Sequence, residues 1–139
     1  MEYITNNKEE TLALARRLAL TLKSGDFIAF TGGLGVGKTA FCEGIAEGLC
    51  CIDKASSPTF AIVNYYRGNK PFAHFDLYRV TSEADLETAG LYDYIDEGAI
   101  VAAEWSENIK DFIYEPNIII DIKSLEGDKR CINIKGACL

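Results

Sequence analysis

Gly32-Gly33-Leu34-Gly35-Val36-Gly37-Lys38-Thr39 is the stretch on which the reading of this chain turns. It follows an apolar run, Phe27-Ile28-Ala29-Phe30, and leads into helix-compatible sequence from Thr39 to Leu49. The spacing is G-x-x-x-x-G-K-[ST], the phosphate-binding P-loop. Its glycines let backbone amides approach an anion. The amides of Gly33, Leu34, Gly35, Val36, Gly37, Lys38, Thr39 and Ala40, with the positive end of the following helix, make a cradle for α- and β-phosphates. Lys38 supplies a mobile cation for the β- and γ-phosphates, and the Thr39 hydroxyl can ligate Mg²⁺. The bland alternative is a glycine-rich connecting loop with an exposed lysine. The strand-like run before the motif and the helix-like run after it are the context a phosphate loop requires. A dinucleotide-binding G-x-G-x-x-G would put glycine third after Gly35, and Lys38 stands there. The stretch reads as a nucleoside triphosphate site.

At 139 residues the chain is expected to be one domain, burying roughly two-thirds of its unfolded surface. An apolar fraction of 48% and a charged fraction of 25% match a soluble globular protein. No run approaches the ~20 apolar residues of a membrane helix. The first ten residues are polar with three acids, unlike a secretory leader, so a cytoplasmic protein is expected. Five cysteines (Cys42, Cys50, Cys51, Cys131, Cys138) contain no C-x-x-C pair, and the lone His74 offers little for zinc. They read as free thiols of a reducing compartment. The net charge of −7 is local: six acids lie between Ser82 and Gly98 with no base, and without them 15 acids face 14 bases. A chain lacking a basic cluster grips a nucleic-acid backbone poorly by itself, so any RNA would be held by a partner.

Along the chain, Tyr3-Ile4-Thr5 reads as a first strand and Asn7 as a helix cap, with Glu10 returning the bond. That helix is expected to reach about Lys23, with Leu14, Leu18 and Leu22 on one stripe and Gly25 ending it. Asp26 to Thr31 feeds the P-loop. In the next helix Phe41, Ile45 and Leu49 share a face, while Gly44 and Gly48 on another are expected to pack it tightly on a sheet. Ser56 to Phe60 breaks the pattern. Ala61 to Tyr66 and Pro71 to Tyr78 read as strands around the Arg67-Gly68-Asn69-Lys70 turn. Ser82 with Asp85 opens a short helix stopping at Gly90, and Leu91 to Glu97 adds a helical turn. Ala99 to Ala103 suits a buried central strand, a helix spans about Asn108 to Tyr114, and Ile118 to Lys123 with Arg130 to Lys135 closes the chain as a hairpin. The fold class expected is α/β, a P-loop NTPase with a mainly parallel sheet and antiparallel additions.

A P-loop needs a carboxylate at the end of a neighbouring strand to hold Mg²⁺ or its waters. Glu104 ends Ile100-Val101-Ala102-Ala103, and Asp76 follows Phe72-Ala73-His74-Phe75. Glu104 fits better as the metal-side acid, because its strand is wholly apolar; Asp76 is then free to orient water. Ser57 and Thr59 lie in a proline-stiffened loop placed as nucleotide switches are. His74 reads as a strand histidine with a satisfied hydrogen bond, and Trp105 as a core or rim aromatic.

Gly35-Val36-Gly37-Lys38-Thr39, Ser57-Pro58-Thr59-Phe60, His74-Phe75-Asp76-Leu77-Tyr78-Arg79 and Glu104-Trp105-Ser106-Glu107 together resemble the TsaE (YjeE-type) family, across about residues 5 to 135. The resemblance implies a bacterial P-loop ATPase needed for the threonylcarbamoyl modification of the adenosine beside the tRNA anticodon. It implies ATP and Mg²⁺ as cofactors. Lys38 and the loop amides would bind phosphates, Thr39 and Glu104 would hold the metal, and Asp76, with Lys38 and Thr59, would serve hydrolysis. Thr5 and Arg130 would border the adenine. TsaB and TsaD are the implied partners, with tRNA reached only through them. This chain departs from the family pattern at Gly33, where aspartate is frequent, at Ala40, where a second threonine is, and at Ser106, where proline is.

Two function classes remain open at this level: a slow, partner-gated ATPase, and a nucleotide-dependent binding module in which hydrolysis is incidental. A small-molecule kinase would need a lid with several arginines, and only Arg67, Arg79 and Arg130 follow the P-loop, widely scattered. No N-K-x-D guanine-reading motif is present.

Overall fold

The run Phe27–Phe30 becomes the middle of a sheet covered on both faces. The computed structural model describes residues 1–32, 37–56, 63–76, 90–104, 115–137 and 139. In chain order the elements are β1 (Glu2–Thr5), α1 (Lys8–Ala19), β2 (Phe27–Thr31), α2 (Lys38–Gly48), β3 (Asp53–Ser56) and β4 (Val63–Arg67). They continue with β5 (Phe72–Asp76), α3 (Leu91–Asp96), β6 (Ile100–Glu104), β7 (Ile118–Ser124) and β8 (Arg130–Lys135). They form an eight-stranded sheet in the order β1-β8-β7-β2-β6-β5-β4-β3. The central strands β7, β2, β6 and β5 run parallel. Antiparallel pairs extend both edges, β8 and β1 on one side and β4 and β3 on the other. This is the expected α/β architecture of a parallel centre with antiparallel additions.

Strand alternation sorts the core into two layers. Ile28, Phe30, Ile100 and Ala102 pack with Leu14 and Leu18 of α1 and Phe41 and Ile45 of α2. Phe27, Val101, Ala103 and Phe75 face the other way, against Leu91 and Tyr92 of α3. All five residues of β6 are buried, and its first four, Ile100 to Ala103, are accordingly an unbroken apolar run rather than alternating, with Glu104 at the end. In β7, by contrast, Ile118, Ile120 and Ile122 are buried while Ile119 is exposed. The hairpin with β8 follows the expected boundaries closely.

Some local expectations are revised. Asn7 caps α1, accepting from the Glu10 amide at 2.9 Å, but Glu10 returns its bond to the Asn6 amide at 3.1 Å, one residue early. α1 ends at Ala19, not near Lys23. The amide and hydroxyl of Thr21 both donate to the Leu18 carbonyl, at 2.9 and 2.8 Å, closing a tight turn that replaces the next helical bond. Leu22 beyond the turn is still buried. β3 is an edge strand that the polar Asp53-Lys54-Ala55-Ser56 did not announce. The helix expected from Ser82 and Asp85, and the one from Asn108 to Tyr114, lie outside the described residues.

Gly44 and Gly48 do not face the sheet, as expected, but face α1. A Cβ at Gly44 would stand 2.6 Å from the Ala15 Cβ, and one at Gly48 would stand 2.5 Å from the Ala19 Cβ. Small residues at four-residue spacing on both helices let the two backbones approach, and only glycine fits on α2. The opposite face of α2 is thereby held on the sheet, where Phe41 meets Phe30 edge to face at 5.7 Å between ring centres, a contact of about 0.5–1.5 kcal/mol beyond simple burial.

Candidate functional site

β2, β6 and β5 are parallel, so their carboxyl ends share one edge of the sheet, the edge at which open α/β sheets place ligands. β2 ends at Thr31, and the chain turns sharply at Gly32, whose φ of +121° and closeness to the Ile122 carbonyl leave no room for a Cβ. Gly37, at φ +103°, starts α2 in the left-handed region and contributes no side-chain cap. α1 begins with a capping asparagine and two acids, whereas the first turn of α2 carries no acid. The start of α2 therefore has neither a capping side chain from Gly37 nor an acid in its first turn, which suits it to receive an anion. Lys38 opens this helix and is 6% exposed.

Lys38 and Thr39 precede Cys42 by four and three positions, so both flank it on the helix surface. Cys42 is wholly buried, and its sulfur lies within 4.8 Å of ligand atoms of both His74 and Glu104. The start of α2 thus lies over the carboxyl ends of β5 and β6. Glu104 pairs in register with Phe30 on one side and with Asp76 on the other. Sequence reasoning named both acids, and the sheet puts them on adjacent strands at the same level. For Asp76 the description covers the backbone alone.

The Glu104 carboxylate is 7% exposed, and its Oε1 makes no hydrogen bond among the described residues. Burying a carboxylate oxygen without a donor is costly unless a cation faces it, a need that a protonated His74 or a bound metal ion meets. His74 Nε2 stands 3.3 Å from that oxygen and likewise makes no hydrogen bond among the described residues. With His74 protonated the contact is an ion pair, and Nε2 itself does not make the hydrogen bond expected for a strand histidine. Burial alone would lower the proton affinity of His74, but Cys42 and Glu104 beside it outweigh this, and the imidazole is raised above its usual range. Burial pushes the Cys42 thiol up. Sequence reasoning gave neither Cys42 nor His74 a role, because their proximity is a product of tertiary packing.

A cleft of about 390 Å³ opens beside the start of α2, lined by Lys8, Thr11, Gly37, Ala40, Asp128 and Arg130. Arg130 pairs in register with Thr5, so the β1–β8 pairing brings together the two residues expected near the base. Thr5 itself is 4% exposed, its hydroxyl 2.7 Å from that of Thr11. Thr11, equally buried, is the one of the two that lines the cleft. Gly33, Leu34, Gly35 and Val36, the loop of Ser57 and Thr59, and Trp105 lie outside the described residues.

Comparison with known proteins bears on the same residues. The family model of "Threonylcarbamoyl adenosine biosynthesis protein TsaE" matches residues 5–132. Proteins of that name from Bacillus subtilis and Aquifex aeolicus are each 37% identical to this chain. The alignments cover 94% of this chain and 82% of the Bacillus protein, and 96% and 94% for Aquifex. The Rickettsia felis protein is also 37% identical, over 94% of this chain and 77% of its own length. Among solved structures, Bacillus subtilis YdiB superposes with a TM-score of 0.71 at 33% identity, covering 95% of this chain and 82% of that one. With the strand order, the uncapped α2 and the acid at the end of β6 already in place, these matches make the chain a member of the TsaE family, the threonylcarbamoyladenosine biosynthesis proteins.

Proposed function

We propose that this chain is the ATP-binding and ATP-hydrolysing component of the tRNA N6-threonylcarbamoyladenosine machinery, acting in the cytoplasm with TsaB and TsaD to sustain repeated transfer to the adenosine beside the anticodon. The observation that carries the reading is the pairing of a buried lysine at the uncapped start of α2 with a buried, hydrogen-bond-free carboxylate oxygen at the end of the neighbouring strand. The first is a phosphate anchor and the second a cation anchor.

In this reading Gly37 to Ala40 offer amides to the phosphates, and Lys38 neutralises the β- and γ-oxygens. Mg²⁺ held through Thr39 and Glu104 would offset charge on the same oxygens. Asp76, the register partner of Glu104 on the adjacent strand, orients the attacking water, and Ser57 and Thr59 sense the γ-phosphate. Thr11 and Arg130 border the base from the cleft. The net charge of −7 favours contact with tRNA through protein partners rather than directly. A chain this short spends little sequence on a pocket beyond the nucleotide, which supports slow turnover gated by partners.

The test is ATP hydrolysis with and without TsaB and TsaD, run beside a tRNA modification assay over many cycles. Slow hydrolysis alone that changes with partners is expected. Fast hydrolysis indifferent to both partners refutes gating, and repeated modification by Asp76→Ala protein without hydrolysis would favour the binding-module reading.

A further inference from the structure

Cys42, His74 and Glu104 come from α2, β5 and β6, and nothing in the nucleotide reading uses the first two. Their ligand atoms lie within 4.8 Å of one another, and all three residues are buried. His74 Nε2 and Glu104 Oε1 are polar atoms without a hydrogen bond among the described residues, facing each other at 3.3 Å. We propose that these three side chains bind a thiophilic divalent cation, zinc foremost, at the carboxyl edge of the sheet.

The geometry suits that ion. Zinc bonds of about 2.0–2.1 Å to nitrogen and oxygen in a tetrahedron put the two donors about 3.3 Å apart, and the pair stands at 3.3 Å. Three protein donors of the Cys, His, carboxylate kind leave a fourth position for solvent, the arrangement of open zinc sites. Thiolate and imidazole select zinc over magnesium, which takes oxygen ligands. Binding releases two protons, one from the Cys42 thiol and one from the His74 imidazolium; thiolate and carboxylate then balance the ion with His74 neutral, so no net charge is buried. All three donors sit on regular elements, which limits the ordering cost. Because zinc and the magnesium of the proposed nucleotide site would draw on the same carboxylate, zinc would compete with Mg²⁺–ATP. That consequence, unlike zinc binding, rests on the proposed function.

The test is titration of the nucleotide-free full chain with zinc against a chromophoric chelator, and with cobalt(II) followed by absorption. One zinc per chain is expected, with a thiolate-to-cobalt charge-transfer band and the visible bands of a tetrahedral ion. Changes outside the ligands alone weaken zinc sites by roughly 10–100-fold, so Cys42→Ala and His74→Gln should each weaken binding by at least about a hundredfold. A protein with serine at Cys50, Cys51, Cys131 and Cys138 should bind as tightly as wild type. Cys42 is its sole thiol, so its cobalt band identifies the ligand even where Cys42→Ala does not fold. Absence of that band in the four-serine protein, or zinc affinity in Cys42→Ala within threefold of wild type, overturns the proposal. With no nucleotide present, these outcomes are independent of whether the chain binds ATP.

Discussion

Gly44→Ala is a one-methyl change whose sign depends on how closely α1 and α2 are packed. A Cβ at position 44 would stand 2.6 Å from the Ala15 Cβ and 3.0 Å from the Leu12 carbonyl oxygen. Carbon–carbon contacts settle at roughly 3.5–4.0 Å, so the helices must separate by about 1 Å. Overpacking of this kind costs about 1–3 kcal/mol. Alanine in a helix interior recovers about 0.8–1.0 kcal/mol relative to glycine. The net expected is a loss of about 1 kcal/mol, which for 139 residues lowers the melting temperature by about 3 °C. Thermal and urea unfolding of nucleotide-free protein, followed by circular dichroism, measure it. Adding Ala15→Gly removes the opposing methyl, and the double mutant should be more stable than the sum of the singles by at least about 1 kcal/mol. A Gly44→Ala protein that melts about 3 °C higher than wild type would show propensity acting alone and would refute the close approach. The consequence reaches the site, because Lys38 lies on the same helix about 9 Å along its axis.

Other outcomes follow from the site. Glu104→Ala and Asp76→Ala should chiefly lower turnover, by about a hundredfold or more if metal or water placement is lost, with nucleotide binding weakened far less; steady-state hydrolysis against equilibrium binding separates the two. Arg130→Ala, at the rim of the 390 Å³ cleft, should weaken ATP by roughly tenfold, the value of one hydrogen bond to a charged group, while leaving inorganic tripolyphosphate unchanged. Tyr66 is half-buried, and burial, helped by Cys42 and Glu43, pushes its phenol up to about 12. The folded state therefore holds that proton more tightly than the unfolded chain, whose phenol titrates near pH 10. The stability it contributes is complete below about pH 10 and is lost as pH rises towards 12, which denaturant midpoints across that range, compared with Tyr66→Phe, will show.

Features set by local chemistry were legible in the chain. The alternation of Ile118, Ile120 and Ile122 gave a strand with one buried row, the unbroken Ile100–Ala103 gave a central one, and the glycine-lysine-threonine string marked the join between β2 and α2. Features set by long-range packing were not. The early end of α1 depends on one threonine doubling its bonds to Leu18. The glycine face of α2 could have met sheet or helix equally well, and the deciding fact was the matching Ala15 and Ala19 on α1. β3, at the edge of the sheet, has the sequence Asp53-Lys54-Ala55-Ser56, which carries no hydrophobic signal. Asp76 and Glu104 were named separately from their strands, but their shared register is a property of the β5–β6 pairing. His74 read as a bland core residue until Cys42 and Glu104 were placed against it.

The central claim is that the start of α2, Lys38 and the Glu104 carboxylate together take up a magnesium-bound triphosphate. Calorimetric titration of ATP with Mg²⁺ into the purified chain, beside its Lys38→Ala variant, tests this most directly. One saturable site in the wild type, weakened by at least about tenfold in the variant, the equivalent of one charged hydrogen bond, is the outcome predicted. No heat and no saturation with the folded wild-type chain, or equal affinity in both proteins, would contradict it.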